Sequence, residues 1–354
     1  MGNSLVDWES SKSAVLGDVR LESFPELQSV VWIQTSGSSG TPKWIGLKKD
    51  SILESAKVVN SRLSAQASDR WGVAISDRHI GGLAIHARAH LSGSRVERYF
   101  DRKWNPLEFE RWLLESGTNL LSLVPTQLHD LIRHQIRCPK SVRRVLIGGG
   151  RTDEFLLKSA TELGWPVSLT YGMTETSSQV ALSDVGQLDL VVLDHAEILI
   201  DDEHRVGVRS RSLLEGVVTF KEGRASFVDP KRDGIFWTQD LGSCDRRVFK
   251  WEGRLDRSVK VKGHLLNLDQ LEMQIQQKFR SLSLGEAVLG SVPDLRDENR
   301  LVLWFVGNDV TQITRLVQDI TKHPISCVQV KNLSRTSNGK WDRPALVQSY
   351  LQGL

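Results

Sequence analysis

The most constraining feature of this sequence is an alternation of short apolar runs with amphipathic stretches, several of the runs ending in turns rich in glycine or serine, without any internal sequence repeat. Val30-Val31-Trp32-Ile33 runs into Thr35–Lys43, and Val145-Leu146-Ile147 ends in Gly148-Gly149-Gly150. Val167-Ser168-Leu169-Thr170 leads likewise into a loop opening at Tyr171-Gly172. Runs this short, bounded by turn residues, read as buried strands. Between them, Ile52, Leu53, Ala56, Val59 and Leu63 trace one face of a helix that Asp50 is placed to cap. Asn105 and Glu108 have capping-box spacing, with Pro106 at the first helical position before the amphipathic run Phe109–Leu114. Strands alternating with helices predict an α/β fold of layered sheets and helices. From Leu188 to Val248 the segments turn β-type with few helix signals, which predicts a β-rich subdomain.

A domain boundary is expected near Gly253-Arg254-Leu255-Asp256, dividing residues 1–255 from 256–354. Beyond it the pattern predicts a strand over Val259–Leu266, a helix over Asp269–Phe279, a further strand and then a strand over Leu301–Val306. A helix over Val310–Ile320, a strand over Cys327–Val330, a loop at Asn338-Gly339-Lys340 and a short terminal helix complete a small α+β domain. The 354 residues suffice for this beside one large domain, each burying its own core.

Charge and composition narrow the partners. The 46 basic and 43 acidic residues leave a formal charge of +3, spread rather than striped, which carries no nucleic-acid footprint. No apolar run reaches the ~18 residues of a membrane-spanning helix, so no membrane insertion is expected. Met1–Asp7 lacks the basic-then-apolar order of a signal peptide. Cys138, Cys244 and Cys327 lie far apart with no CxxC pair, so neither a disulfide framework nor a zinc site is expected, and the cytoplasm is the expected compartment.

Several short motifs carry chemistry. In Thr35-Ser36-Gly37-Ser38-Ser39-Gly40-Thr41-Pro42-Lys43 the glycines let backbone amides turn toward an anion, the hydroxyls add donors and the lysine adds charge. Such a loop suits the β and γ phosphates of a nucleotide, although the Walker A order is missing and a flexible linker is the plainer alternative. In Tyr171-Gly172-Met173-Thr174-Glu175-Thr176, adjacent Thr174 and Glu175 in a loop can hold a phosphate oxygen and a magnesium ion together. A helix cap would use the same residues. Gly148–Gly150 offers bare backbone for an adenine ring, or a simple turn. Asp240, in Trp237-Thr238-Gln239-Asp240-Leu241-Gly242, is an acid placed to accept ribose hydroxyls. Gly253–Lys260 with Gly263, and Ser337-Asn338-Gly339-Lys340, complete the set. A surface ion pair, a turn or a solvated lysine is the plain reading of each.

Taken in this order, the motifs resemble those of the acyl-adenylate-forming superfamily of acyl-CoA synthetases, luciferases and peptide-synthetase adenylation domains, from Val30 to the C-terminus. A closer resemblance is to the 2-succinylbenzoate–CoA ligases of menaquinone biosynthesis. It is carried by His79-Ile80-Gly81-Gly82-Leu83, Arg88, Ser122-Leu123-Val124-Pro125-Thr126-Gln127 and Ser177-Ser178-Gln179. The resemblance implies a large N-terminal adenylate-forming domain and a small mobile C-terminal lid. It implies ATP, magnesium and a carboxylic acid, with coenzyme A as co-substrate, giving an acyl-adenylate and then an acyl-CoA. By it, Thr35, Ser36, Gly37, Ser38, Ser39, Gly40, Thr41 and Lys43 hold pyrophosphate. Gly148, Gly149, Gly150, Tyr171 and Gly172 lie at adenine, and Asp240 and Arg254 fix the ribose. Glu175, beside Thr174, coordinates magnesium, and Lys340 stabilises charge between the α-phosphate and the substrate carboxylate. His79, Gly81, Gly82, Arg88 and Ser178 line the acid, with His79 counted also among the catalytic residues. Asp256 takes the hinge position of a domain rotation. The alternatives are a surface ion pair for Arg88 and a hydrogen-bonded core histidine for His79.

The sequence departs from the family's pattern in three places. Trp44 replaces a glycine after Pro42-Lys43 and is expected to narrow the phosphate loop or alter its motion, and Gln239 replaces a glycine before the ribose acid. The stretch ahead of the phosphate loop is short, so part of the usual scaffold is expected to be missing, and a homodimer is one way to compensate. A synthetase for another carboxylic acid stays open as an alternative, as does a catalytically inactive adenylate-binding protein. Retention of Glu175 and Lys340 argues against the latter. A P-loop NTPase is disfavoured by the missing Walker A order.

Overall fold

The short apolar runs fold as strands that helices cover from both sides. A computed structural model of the chain describes residues 6–17, 24, 27–36, 42–99, 101–221, 224–294, 296–307, 309–335 and 341–353. The chain divides into two units, one of Met1–Leu199, Gly207–Thr238 and Cys244–Lys250, the other of Ile200–Val206, Gln239–Ser243 and Trp251–Leu354.

The first unit opens with β1 (Ala14–Leu16), β2 (Val30–Ser36), β3 (Pro42–Lys48) and α1 (Lys49–Leu63). Strand–helix repeats follow: β4 (Arg70–Val73) and α2 (Ile80–Ser92), β5 (Arg95–Arg98) and α3 (Pro106–Ser116), β6 (Leu120–Leu123) and α4 (Pro125–Arg133), β7 (Arg144–Ile147) and α5 (Glu154–Glu162). Then come β8 (Val167–Met173), β9 (Ser178–Ser183) and β10 (Leu190–Val192). The β-rich stretch expected next consists of β11 (Ala196–Ile200), β12 (Arg205–Ser210), β13 (Gly216–Lys221), β14 (Arg224–Val228), β15 (Phe236–Asp245) and β16 (Val248–Arg254).

One sheet of this unit has the order β1-β2-β3-β13-β14. The other runs β5-β4-β6-β7-β8-β9-β10, parallel from β5 to β8 and antiparallel from β8 to β10. Parallel neighbours need crossovers, and α2, α3, α4 and α5 supply them. The strands alternate faces. Leu121, Leu123, Val145, Ile147 and Val167 pack with Phe109, Trp112, Leu128 and Leu157 of α3, α4 and α5, while Leu120 and Leu146 pack with Val59, Leu63 and Ile85 of α1 and α2. Order reverses at β4, whose neighbours are β5 and β6, and ligands of such sheets bind at the carboxyl ends beside that reversal.

One local expectation needs correction. Strand β3 passes straight into α1, so the capping position falls on Lys48 and Asp50 sits in the first turn, where its charge still favours the helix dipole. Trp44 is a core residue, 2% exposed, clustered with Phe24, Val30, Trp32 and Val218, and the loop it was expected to narrow lies, over Gly37–Thr41, outside the described residues. The cap of α3 is as read from the sequence: Asn105 Oδ1 accepts from Leu107 N at 3.0 Å and Glu108 N at 3.1 Å. Lys49 is a buried cation the sequence did not announce. Its Nζ donates to the carbonyls of Asp7, Ser10 and Lys12 at 2.6, 2.7 and 2.7 Å, which ties the N-terminal segment to α1.

The second unit continues with β17 (Ser258–Val261), β18 (His264–Asn267), α6 (Leu268–Ser281), β19 (Glu286–Asp294), β20 (Glu298–Val306), α7 (Val310–Ile320), β21 (Ile325–Gln329) and α8 (Arg343–Leu351). The single strand expected over Val259–Leu266 is instead a hairpin. Lys262 and Gly263, at φ +51° and +76°, make the two-residue turn that suits the twist of paired strands. The β19-β20-β21 sheet turns Leu289, Leu301, Leu303 and Phe305 toward Ile275 of α6 and Ile313 of α7. The alternate residues Val302 and Trp304 cluster with Leu346 of α8 on the other face. This is the α+β unit read from the sequence.

Candidate active site

Parallel register brings the predicted motifs to one edge of the sheet. Val73 lies opposite Ser122, Leu123 opposite Ile147, and Ile147 opposite Leu169. The segments holding Ala74–His79, Val124 and Gly148–Gly150 therefore leave the sheet side by side. Gln127 joins two of them, its Nε2 donating to the Ala74 carbonyl at 2.9 Å and its Oε1 accepting from Val124 N at 3.0 Å. Half-buried Gly148 faces Thr170, and Gly149 and Gly150 are exposed at the end of β7.

Strand β8 runs further than its apolar run suggests. Because β9 returns antiparallel beside it, the ladder extends through Tyr171, Gly172 and Met173, and Thr174–Thr176 then form one 3-10 turn. Tyr171 and Gly172 are thus strand residues, not loop residues. The Tyr171 ring is buried with its centroid 4.5 Å from that of Phe249. At Gly172 the register shifts, and a Cβ there would lie 1.8 Å from the Ser178 carbonyl oxygen. Gly172→Ala is therefore expected to cost on the order of 3 kcal/mol, read as a lowered urea midpoint; an unchanged midpoint would refute this close approach.

The turn carries Glu175 to Lys43. Lys43 is the second residue of β3, its partner on β2 is Thr35, and its Nζ lies 2.9 Å from Glu175 Oε1. The glutamate side chain is 13% exposed and the lysine 34%, so the carboxylate is the shielded end of the pair, and Leu214 N donates to the Glu175 carbonyl at 2.9 Å. Thr176 braces the turn, its hydroxyl accepting from Met173 N at 3.1 Å and donating to the Ser178 carbonyl at 2.8 Å. The lysine and glutamate that the motifs singled out, 132 residues apart, occupy one place. Of the phosphate loop, Thr35, Ser36 and Lys43 are seen; Gly37, Ser38, Ser39, Gly40 and Thr41 lie outside the described residues.

Arg88 is the most unusual side chain of the site. His79 occupies the capping position of α2, its carbonyl accepting from Gly82 N and Leu83 N at 3.1 and 3.0 Å. It is half-buried at a helix start, not a core histidine. Gly81 follows half-buried, while Gly82 must be glycine, since a Cβ would come 2.4 Å from the Ser76 carbonyl. Arg88, further along α2, has no exposed surface, so it is not a surface ion pair. Its Nη2 donates to Gln179 Oε1, which also accepts from Ser178 Oγ at 2.8 Å, and its guanidinium lies 5.3 Å from the centre of the Trp71 ring. Nε and Nη1 have no partner among the described residues, nor has the buried Ser177 hydroxyl. Burial draws the Arg88 pKa down to about 9, which leaves the group cationic at neutral pH. A buried cation without a counter-ion is costly and makes a ready seat for an anion. Gln179 and Trp71 were not recognised as its supports; only the Ser177-Ser178-Gln179 run hinted at the first.

Within the second unit, Asp240, Arg254 and Asp256 come together. Arg254 Nη1 lies 3.3 Å from Asp240 Oδ1, while Nε and Nη2 grip the two oxygens of Asp256 at 2.8 Å each. The hydrogen bonds to Asp256, with the nearby carboxylates, push the Arg254 pKa further up. Alternation along β15 buries Asp240 and exposes Gln239, so the two side chains face opposite sides of the strand. Lys340, with Ser337, Asn338 and Gly339, lies outside the described residues. No described helix is long and apolar enough to cross a membrane.

At the carboxyl end of a doubly covered parallel sheet, Lys43 and the acidic turn meet in the pair with Glu175, and this fold is matched among known proteins. A profile of AMP-binding enzymes matches residues 4–208, and the chain belongs to that family. It is 30% identical over 252 residues to the 2-succinylbenzoate–CoA ligase of Geobacillus kaustophilus, covering 66% of this chain and 50% of that one. It thus spans about half the length of that relative. The ligase of the same name from Listeria monocytogenes serovar 1/2a is 30% identical over 350 residues, covering 93% of this chain and 72% of that protein. The fold is shared with the o-succinylbenzoate CoA synthetase MenE of Bacillus subtilis, solved with the acyl-adenylate OSB-AMP. That similarity has a TM-score of 0.75 at 22% identity, covering 89% of this chain and 68% of that one.

Proposed function

We propose that the chain joins 2-succinylbenzoate to coenzyme A at the expense of ATP, through an acyl-adenylate, as a step of menaquinone biosynthesis. The observation that carries this reading is Arg88, a buried cation with two open donor nitrogens and no counter-ion among the described residues. An acid with one carboxylate offers nothing to that cation once the carboxylate is activated. 2-Succinylbenzoate keeps a second one.

In this reading the substrate carboxylate attacks the α-phosphorus of ATP and pyrophosphate leaves; the coenzyme A thiol then attacks the acyl carbon and AMP leaves. The residues at Glu175 fit a magnesium ion, which typically takes one or two protein carboxylates with the rest of its shell from phosphates and water; Glu175 is a single shielded carboxylate already facing a cation, Lys43. When bound, magnesium neutralises phosphate charge. Lys43 and the loop from Thr35 hold the pyrophosphate group, Thr174 adds a hydroxyl, and Asp240 and Arg254 hold the ribose. Lys340 supplies the cation between the two anions that must meet. Residues 256–354 act as a lid that turns at Asp256, so that one site serves both half-reactions. The free cysteines Cys138, Cys244 and Cys327 fit a cytoplasmic enzyme.

ATP–pyrophosphate exchange tests the proposal with 2-succinylbenzoate beside benzoate and a series of aliphatic acids. The expected result is a kcat/KM for 2-succinylbenzoate on the order of a hundredfold above benzoate, the worth of one desolvated charge pair. A higher value for another acid reassigns the substrate. Nucleotide binding without exchange for any acid would leave an inactive adenylate-binding protein.

A further inference from the structure

Between β4 and α2 the chain buries a carboxylate that the roles above do not use. Asp77, 3% exposed, lies two residues before His79 in the segment that leaves the carboxyl end of β4. Its Oδ2 accepts from Arg98 Nη1 at 3.1 Å, and His86 Nε2 of α2 lies 3.7 Å from the same oxygen. Arg98 ends β5 opposite Val73, the last residue of β4, and the amide of Tyr99 donates to the Val73 carbonyl at 2.9 Å. Asp101 holds the guanidinium from its other side, accepting from Nε at 3.1 Å and from Nη2 at 3.2 Å. The Asp77 side chain therefore ties its segment to the last rung of the β4–β5 ladder. Burial pushes the Asp77 carboxyl up and the His86 imidazole down, so the imidazole is neutral at neutral pH. Arg98 is then the cation that balances the carboxylate.

The rest of the segment has little freedom of its own. Gln127 holds the Ala74 carbonyl at one end, and at the other His79 N donates to the Ser76 carbonyl at 3.2 Å. Arg78 N donates to Ser76 Oγ at 3.3 Å, and the Ser76 carbonyl lies against Gly82 of α2, where a Cβ would stand 2.4 Å from it. A turn folded this closely moves as a unit. Released at Asp77, it would carry His79 and the first turn of α2 with it. The geometry points to Asp77 as a positioning residue for the acid's site: through Arg98 it fixes His79, Gly81 and Gly82 relative to the end of the sheet. This rests on the reading above that places those three residues at the acid.

Asp77→Ala cuts the tie and touches none of the residues assigned to the nucleotide. In ATP–pyrophosphate exchange, kcat/KM for 2-succinylbenzoate should fall on the order of tenfold to a hundredfold, the cost of a small misplacement near reacting groups. KM for ATP should stay near wild type. Asp77→Asn keeps the volume and an oxygen for Arg98 Nη1, so it should recover most of the loss. Arg98→Met breaks the same pair from its more exposed side and should give the same split between acid and ATP. Adding it to Asp77→Ala should cost little further activity, because the pair is already broken. If Asp77→Ala and Arg98→Met use the acid like wild type while His79→Ala does not, the positioning role is overturned and the reading of His79 stands. If His79→Ala also uses the acid like wild type, the reading of the site falls and the inference with it. A rise in KM for ATP to match the loss for the acid, with a lowered thermal midpoint and no recovery in Asp77→Asn, would make Asp77 a purely structural residue and overturn the inference as well.

Discussion

Lys340→Ala is expected to lower ATP–pyrophosphate exchange by roughly a thousandfold, the upper end for one preorganised donor at a developing charge, while thioester formation from a supplied acyl-adenylate persists. The split follows from electrostatics. Adenylation forces a carboxylate against a phosphate, and one cation between them acts most strongly where the two charges merge. The second step sets a thiol against a neutral acyl carbon and needs no such cation. The lid rotation proposed above would ask the opposite of the residue at the turn. Asp256→Pro fixes φ and removes the carboxylate that Arg254 grips at 2.8 Å, so thioester formation should fall while exchange is largely kept. The two variants, assayed on both half-reactions, should give mirror-image profiles. Equal loss of both steps in Lys340→Ala would contradict its role.

The parts of this molecule that were legible in the sequence are those whose causes are local. A strand of a parallel sheet is buried on both faces, so Val145-Leu146-Ile147 could be read without knowing its neighbours, and the cap at Asn105 lies within the span it organises. Where a neighbour decides, the sequence misled. Strand β8 gained Tyr171–Met173 because β9 folds back beside it, and Val259–Leu266 looked like one strand because its apolar residues continue across a turn that only Lys262-Gly263 marks. The site divides in the same way. Resemblance of motifs named Lys43 and Glu175 separately, yet their ion pair joins residues 132 apart and is a product of the fold. An arginine in a sequence reads as a surface residue. Only the burial of α2 makes Arg88 fully buried and sets it against Gln179, 91 residues later.

That burial gives Arg88→Met an unusual expected signature. Methionine is long and apolar and suits a pocket beside Trp71. Replacing a buried charge that lacks a counter-ion by an apolar side chain of similar reach is often neutral or stabilising, so the thermal midpoint should hold or rise. Activity should move the other way. With 2-succinylbenzoate, kcat/KM should fall on the order of a hundredfold to a thousandfold, since a desolvated charge pair is lost at the cost typical of such truncations. Benzoate, with no second carboxylate to place, should be used about as well as before. Arg88→Lys should fall between, because an ammonium cannot serve Gln179 and a carboxylate through one planar fork. In either case Gln179 Oε1 keeps the Ser178 hydroxyl as a donor; were Arg88 structural, the loss of its own hydrogen bond and packing would outweigh the relief of a buried charge, lower stability and slow both acids alike. A drop in stability with equal loss for the two acids would therefore reassign Arg88 to the packing of α2, whereas a gain in stability bought with loss of one acid would mark a cation kept for its ligand.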